Sequence, residues 1–282
     1  MTTRTSDDKP SPISEIIGKR GRWKTCGDCG FEWPTMGQDE MQCGQCHPPQ
    51  GNFNVREPTT TQQDAVTEAL ERGGVNAHQY QAATMESFDP DPDARALKMA
   101  NEWLADFTAT AHHRWPKREW LYLYGGGSDA EKLGGMGNGK THLGIAIARR
   151  LIATQRLKAS GYRFTTAERL ILESEATFRS QATDSESKLL RTYESYEFLH
   201  IDDFGVRQPT PHAVRVLDEL TKRREGKATI WTSNYSLRVI AEQHVDLQRI
   251  ASRIAGNCGV GAIYAVKFEG PDRRILRSRG SS

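Results

Sequence analysis

No run of apolar residues in this 282-residue chain approaches the roughly 20 that a membrane-spanning helix requires. The opening residues, MTTRTSDDKPSP, carry no apolar core of the kind found in a secretory leader. A strong charge of one sign is also missing. The net charge of +2 is too small to announce a nucleic-acid partner by itself. No internal repeat is visible. Together these absences point to a cytoplasmic protein, in a compartment that disfavours disulfides. Cysteine is scarce, with five residues in all, yet four of them form two C-x-x-C pairs. Pairs of that kind in a reducing compartment bind metal or do redox work. The remaining composition, 26% charged and 37% hydrophobic, is that of a globular protein. The length suits one domain of about 200 residues and a small extra module.

Composition shifts divide the chain. Residues 1–21 are polar and read as a disordered tail. The cysteine module spans 22–48. Residues 49–74 read as a Pro-, Thr- and Gln-rich linker with a short helix at Asp64–Arg72, Thr61 and Asp64 being spaced as a capping box and Gly73-Gly74 as the stop. The main domain covers 75–275, and 276–282 is a tail. After the break DPDPD, Ala94, Leu97, Ala100, Leu104 and Phe107 recur at helical spacing. From Glu119 onward strands (120–124, 161–166, 198–202, 228–234 and 261–270) alternate with helices (140–155, 167–178, 211–225 and 245–255). That alternation predicts an α/β fold, a parallel five-stranded sheet flanked by helices.

Gly134-Gly135-Met136-Gly137-Asn138-Gly139-Lys140-Thr141 matches G-x-x-x-x-G-K-[ST], a phosphate-binding P-loop. Glycines let backbone N–H groups close around phosphate oxygens, and the helix that starts at Lys140 directs its positive end at the same anion. Lys140 would neutralise the β- and γ-phosphates of ATP, and the Thr141 hydroxyl would ligate Mg²⁺. Gly135, Gly137, Asn138, Gly139 and His142 complete the expected nucleotide-binding set. FLHIDDFG places Asp202 and Asp203 at the end of an apolar strand. Asp202 suits the Mg²⁺ shell, and Asp203 suits orienting or deprotonating a water. Asn234 ends the next strand, where it would stand beside the γ-phosphate. His200, within its strand, reads as packed and not catalytic. One oddity is the stretch around Gly127–Leu133, an apparent insertion of roughly eight residues where such loops usually have about 2–6. It leaves the backbone of Gly134 and Gly135 open.

The clip is C-x₂-C-x₁₃-C-x₂-C: Cys26, Cys29, Cys43 and Cys46. Four thiolates with no open position suit a structural Zn²⁺ site, and iron in a rubredoxin-like site is the alternative. His47 reads as a neighbour of the site, and lone Cys258 as a small buried residue. Between Arg22 and Pro48 two basic residues stand against four acidic ones, while Trp23, Phe31 and Trp33 supply aromatic surface. That balance fits a protein contact better than a phosphate backbone. From Arg238 to Ser282 eight basic residues stand against four acidic ones, so single-stranded DNA is better matched there.

The blocks YQAATMESFD, LYLYGG, GNGKTHL, YRFTTAERL, FLHIDDFG, WTSN, and RIASRI followed by FEGPDRR resemble, in this order, the AAA+ ATPases of the DnaC type. Those are helicase loaders, and the resemblance extends to the transposon ATPase subunits called IstB. It implies a P-loop AAA+ domain with no substantial lid. It makes Asn234 the sensor-1 residue, Arg253 an arginine finger acting in trans, with Arg249 and Arg223 as runners-up, and Arg274 the sensor-2 arginine. Met85 and Phe88 would lie near the adenine. It further implies weak ATP hydrolysis stimulated by single-stranded DNA, self-association through the AAA+ domain, and loading of a replicative helicase, the zinc module being the dock. The alternatives are an IstB-like assistant to a transposase and an ATP-gated adaptor with little hydrolysis.

Overall fold

The structure, a computed structural model, describes residues 22–25, 32–35, 60–91, 93–109, 120–125, 136–179, 185–205, 209–243, 245–259 and 262–273. The chain divides into two units, Met1–Arg56 and Glu57–Ser282. In the first, β1 (Arg22–Thr25) pairs antiparallel with β2 (Glu32–Thr35), with Thr25 opposite Glu32. Cys26 and Cys29 fall in the connection between these strands. They lie, with Cys43 and Cys46, outside the described residues, and so does the expected four-thiolate site.

The second unit is built on a parallel five-stranded sheet. Its strands are β3 (Trp120–Gly125), β4 (Tyr162–Thr166), β5 (Phe198–Asp202), β6 (Ala228–Ser233) and β7 (Ala265–Phe268), in the order β4-β5-β6-β3-β7. Every residue of β5 and β6 is buried, the polar Thr229, Thr232 and Ser233 included, as in strands covered on both faces. The register aligns the carboxyl ends: Tyr124 pairs with Ser233 and Thr166 with Asp202. Both chemistry-bearing loops therefore leave the sheet on one edge.

Helices cover the two faces. They are α1 (Thr60–Arg72), α2 (Ala77–Tyr80), α3 (Ala94–Ala109), α4 (Lys140–Ala153), α5 (Ala167–Arg179), α6 (Ser185–Ser195), α7 (Pro211–Arg224), α8 (Leu237–Gln243) and α9 (Gln248–Asn257). Leu143, Ile147 and Leu151 of α4 are fully buried, on the face that their spacing predicts. Ala100, Trp103 and Leu104 bury α3 in the same core.

Several expectations need correction. The first helix begins at Thr60, so Thr61 and Asp64 lie inside it and Thr61 is not its N-cap. Val66, Ala69 and Leu70 are buried, and Arg149 of α4 donates to Thr67 Oγ1 (3.4 Å) and to the Tyr80 and Gln81 carbonyls, so this helix belongs to the larger unit and not to a linker. Its Gly73-Gly74 end covers the edge strand: the Phe164 amide donates to the Gly73 carbonyl at 2.7 Å. Gly74 has φ +99, and a Cβ there would meet the Phe164 carbonyl at 2.7 Å. The last strand is shorter than expected because the chain turns first. Gly259 and Ala262 have positive φ, and the Tyr264 amide returns to the Cys258 carbonyl. The expected helix at 245–255 splits into a 3₁₀ turn, Val245–Leu247, followed by α9.

Candidate functional site

Gly139 caps α4 with φ +103, a conformation open to glycine, and a Cβ there would also come within 3.2 Å of the Phe88 ring. This turn delivers Lys140 and Thr141 to the first turn of α4, at the carboxyl edge of the sheet. Lys140 is 6% exposed, and its Nζ donates to Asn138 Oδ1 at 2.9 Å. Asn138 is wholly buried, and its Nδ2 has no hydrogen-bond partner. A buried amide donor left over beside a lysine is what an anion's oxygen would satisfy.

Asp202 ends β5 facing α4. The Thr141 hydroxyl lies 2.9 Å from Asp202 Oδ1 and 3.1 Å from Oδ2. The Thr232 hydroxyl donates to Oδ1 from β6. Burial pushes the Asp202 carboxyl above its ordinary range, against the hydroxyls of Thr232 and Thr141 and the charge of Lys140, which favour the ionised form. A hydroxyl and a carboxylate so placed, at the first turn of a helix, are a fitting donor set for Mg²⁺ bound to phosphates. Asp203 follows, exposed, with φ +56, a left-handed conformation that aspartate tolerates better than most residues. Thus Asp202 faces the helix while Asp203 stands out at the edge of the site. Asn234 is half-buried directly after β6. The two strand ends are tied together: the Phe204 amide donates to the Thr232 carbonyl (2.9 Å) and Ser233 Oγ to the Phe204 carbonyl (2.6 Å).

The other wall comes from the segment ahead of α3. Phe88 is buried, packs edge-on against Phe268 with centroids 6.1 Å apart, and carries the Arg273 guanidinium 5.0 Å above its ring. Ser87 Oγ lies 3.1 Å from His142 Nε2, so His142 faces this segment. Met85 is buried core. Arg273 also joins the P-loop through its backbone, donating to the Gly137 carbonyl at 3.0 Å. Its guanidinium lies 3.6 Å from Asp93 Oδ2, and Asp93 Oδ1 accepts the amides of Glu269 and Gly270.

The structure thus gathers Gly137, Asn138, Gly139, Lys140, Thr141, His142, Asp202, Asp203 and Asn234 along one edge. Gly134, Gly135, Arg274 and the stretch at 127–133 lie outside the described residues. Arg253 is elsewhere, on α9, where its Nη1 pairs with Asp218 Oδ1 (2.7 Å) and its Nε with Glu225 Oε1 (3.0 Å). Arg223 pairs with Glu219 and Glu194, and Arg249 is exposed. His200 is packed, as read: its ring is fully buried, both nitrogens lack hydrogen-bond partners, and burial pushes its pKa down to about 3. Sequence reasoning missed Thr232, although the TSN triplet contains it, and Arg273, the neighbour of the arginine that it chose.

Residues 130–253 match the family described as IstB-like ATP binding protein. That span takes in the P-loop turn from Met136, both aspartates and Asn234, and is similar to an ATP-binding domain. Solved structures similar to the chain include DnaI, at 23% identity with a TM-score of 0.48, covering 68% of this chain and 90% of that one. The DnaC helicase loader is similar at 22% identity and a TM-score of 0.46, covering 62% and 93%. DnaA from Aquifex aeolicus bound to AMPPCP is similar at 19% identity and a TM-score of 0.48, covering 70% and 54%. No curated protein matches the chain.

Proposed function

We propose that this IstB-like protein is an AAA+ ATPase that hydrolyses ATP to time the loading of a replicative helicase onto single-stranded DNA. The observation that carries the hydrolytic part is the meeting of Thr141 and Asp202 across α4 and β5, with Asp203 beside it. Lys140, the first amides of α4 and the Asn138 amide would hold the phosphates, while Thr141 and Asp202 would hold Mg²⁺. When bound, the ion neutralises charge on the β- and γ-oxygens. Asp203 takes a proton from water as its oxygen bonds to the γ-phosphorus and the bond to the bridging oxygen breaks, releasing ADP and phosphate. Arg253 would complete a neighbour's site in trans, so the active unit is a self-associated set of subunits. Arg274 would act on the nucleotide in its own subunit. Zinc held by Cys26, Cys29, Cys43 and Cys46 would fold the hook that binds helicase. The acidic balance of that segment supports a protein contact, and the arginine-rich C-terminal part would face DNA.

The match of residues 130–253 favours a second reading, in which the same ATPase assists a transposase. A pull-down against the replicative helicase and against a transposase, with the intact chain and with Cys26→Ser, decides between them. Helicase capture that disappears in Cys26→Ser supports loading through the zinc hook, and capture of the transposase alone overturns it. Steady ATP turnover in Lys140→Ala would overturn the site assignment.

A further inference from the structure

Asp203 stands at the turn that must hold a reacting water, yet its backbone sits in the left-handed region, which costs free energy unless neighbours fix it. One residue on the adjacent strand supplies the fixing. Thr232 is 1% exposed in β6 and touches three consecutive residues of the loop. Its hydroxyl donates to Asp202 Oδ1. The same oxygen accepts the Asp203 amide at 3.4 Å. Its carbonyl accepts the Phe204 amide at 2.9 Å. The hydroxyl has one proton and two lone pairs, so it can donate to a carboxylate and accept an amide at once.

We propose that Thr232 is a positioning residue for ATP hydrolysis, acting through the two aspartates and not on the nucleotide. One hydroxyl sets the direction of the Asp202 carboxylate and the path of the backbone that presents Asp203. Valine has nearly the same shape but cannot donate to Asp202 or accept from Asp203, so it isolates the hydroxyl. Serine keeps both bonds. The proposal rests on the ATPase reading and goes beyond it, since the Thr232 hydroxyl is engaged by Asp202 and Asp203 and not by the groups assigned to the phosphates.

The experiment compares wild type with Thr232→Val, Thr232→Ser, Asp203→Asn and Lys140→Ala. Phosphate release, binding of a fluorescent ATP analogue, hydrogen exchange of the amides at 203–205 and the thermal midpoint are measured for each. Thr232→Val is expected to lower kcat roughly 10- to 100-fold, the range for losing a bond to a charged group, with KM and analogue binding changed less than about twofold. Its amides at 203–205 should exchange faster, and Thr232→Ser should restore both readouts. If Asp203→Asn and Lys140→Ala abolish turnover while Thr232→Val leaves kcat and exchange at wild-type values, the Thr232 proposal fails and the ATPase reading stands. If Thr232→Val loses nucleotide binding and thermal stability together and serine does not rescue kcat, Thr232 is only structural. Turnover untouched in Lys140→Ala and Asp203→Asn would overturn the ATPase reading itself.

Discussion

Thr141 Oγ1 bridges both oxygens of Asp202, at 2.9 and 3.1 Å, so a single hydroxyl on α4 spans a carboxylate on β5. It has only one proton to donate, and the carboxylate's remaining lone pairs are the place for a cation. Thr141→Val keeps the packing and removes the bridge. The Mg²⁺ concentration needed for half-maximal ATP binding should rise at least roughly tenfold, while Thr141→Ser stays near wild type. Titrating Mg²⁺ against a fluorescent ATP analogue reads this directly, and an unchanged midpoint in the valine variant would remove Thr141 from the metal site.

Phe88 and Arg273 stack beside Gly139, and the Arg273 amide ties the pair to the P-loop through the Gly137 carbonyl. Arg273→Ala leaves that backbone bond in place but strips the cation from the ring and from Asp93. ATP affinity is expected to fall roughly three- to thirtyfold, the range for a partly desolvated cation–π contact. Equal losses for ATP and ADP would place Arg273 against the base or ribose, and a loss confined to ATP would place it at the γ-phosphate. No loss for either nucleotide in equilibrium binding would make it a brace for α3.

The strands and the two acidic positions were legible because their physics is local. WLYLY, FLHID and ATIWTS carry apolar residues on both faces, and GNGKT encodes a glycine turn followed by a helix start. Helix α6 was not legible, because SESKLLRTYES buries only Leu190 and Tyr193 fully and is polar apart from the partly buried Leu189. Thr232 and Arg273 were invisible for a different reason. Their roles come from neighbours distant in sequence, Asp202 on the adjacent strand and Phe88 ahead of α3, which only the sheet order brings close. The hydroxyl of a threonine in a β-rich run carries no mark of what it will bond.

Gly144 is fixed by His200. A Cβ at 144 would stand 2.4 Å from His200 Cε1, closer than any packed contact allows. Gly144→Ala is therefore expected to cost about 1–3 kcal/mol as overpacking. In a His200→Ala background the same change should turn favourable by about 0.5–1 kcal/mol, because alanine is the better helix former. Urea midpoints for the four proteins of this cycle test the coupling, and additive effects would show that the ring moves aside freely.

The hairpin β1–β2 brackets Cys26 and Cys29 in sequence, so the first C-x-x-C falls at the connection between two paired four-residue strands. Strands this short do not hold together in water without further support. A structural metal would supply it, contributing on the order of 10 kcal/mol. Metal analysis of the intact chain should give one zinc per chain, and Cys26→Ser should abolish it. Chelation should expose residues before 57 to protease while the thermal transition of the larger unit stays put. Iron in the analysis would select the rubredoxin-like alternative, and no metal at all would end the four-thiolate reading.

Arg253 sits in its own subunit between Asp218 and Glu225, at 2.7 and 3.0 Å, and its Nη1 also donates to Thr221 Oγ1 at 3.2 Å. A finger that works in trans must leave these partners, so assembly and the intrachain pair compete. Asp218→Asn weakens the pair by removing its charge, and Lys222 loses a partner at 2.6 Å as well. In a trans role Asp218→Asn should lower the protein concentration needed for half-maximal ATP turnover. Mixing Arg253→Ala with Asp203→Asn subunits should also recover activity that neither has alone, since some interfaces then pair an intact finger with an intact acid. If Arg253 is instead a brace between α7 and α9, the mixture stays inactive. Asp218→Asn and Arg253→Ala then share one signature, a lower thermal midpoint with turnover per folded subunit unchanged. The mixing experiment separates the two because a brace cannot be lent to a neighbour.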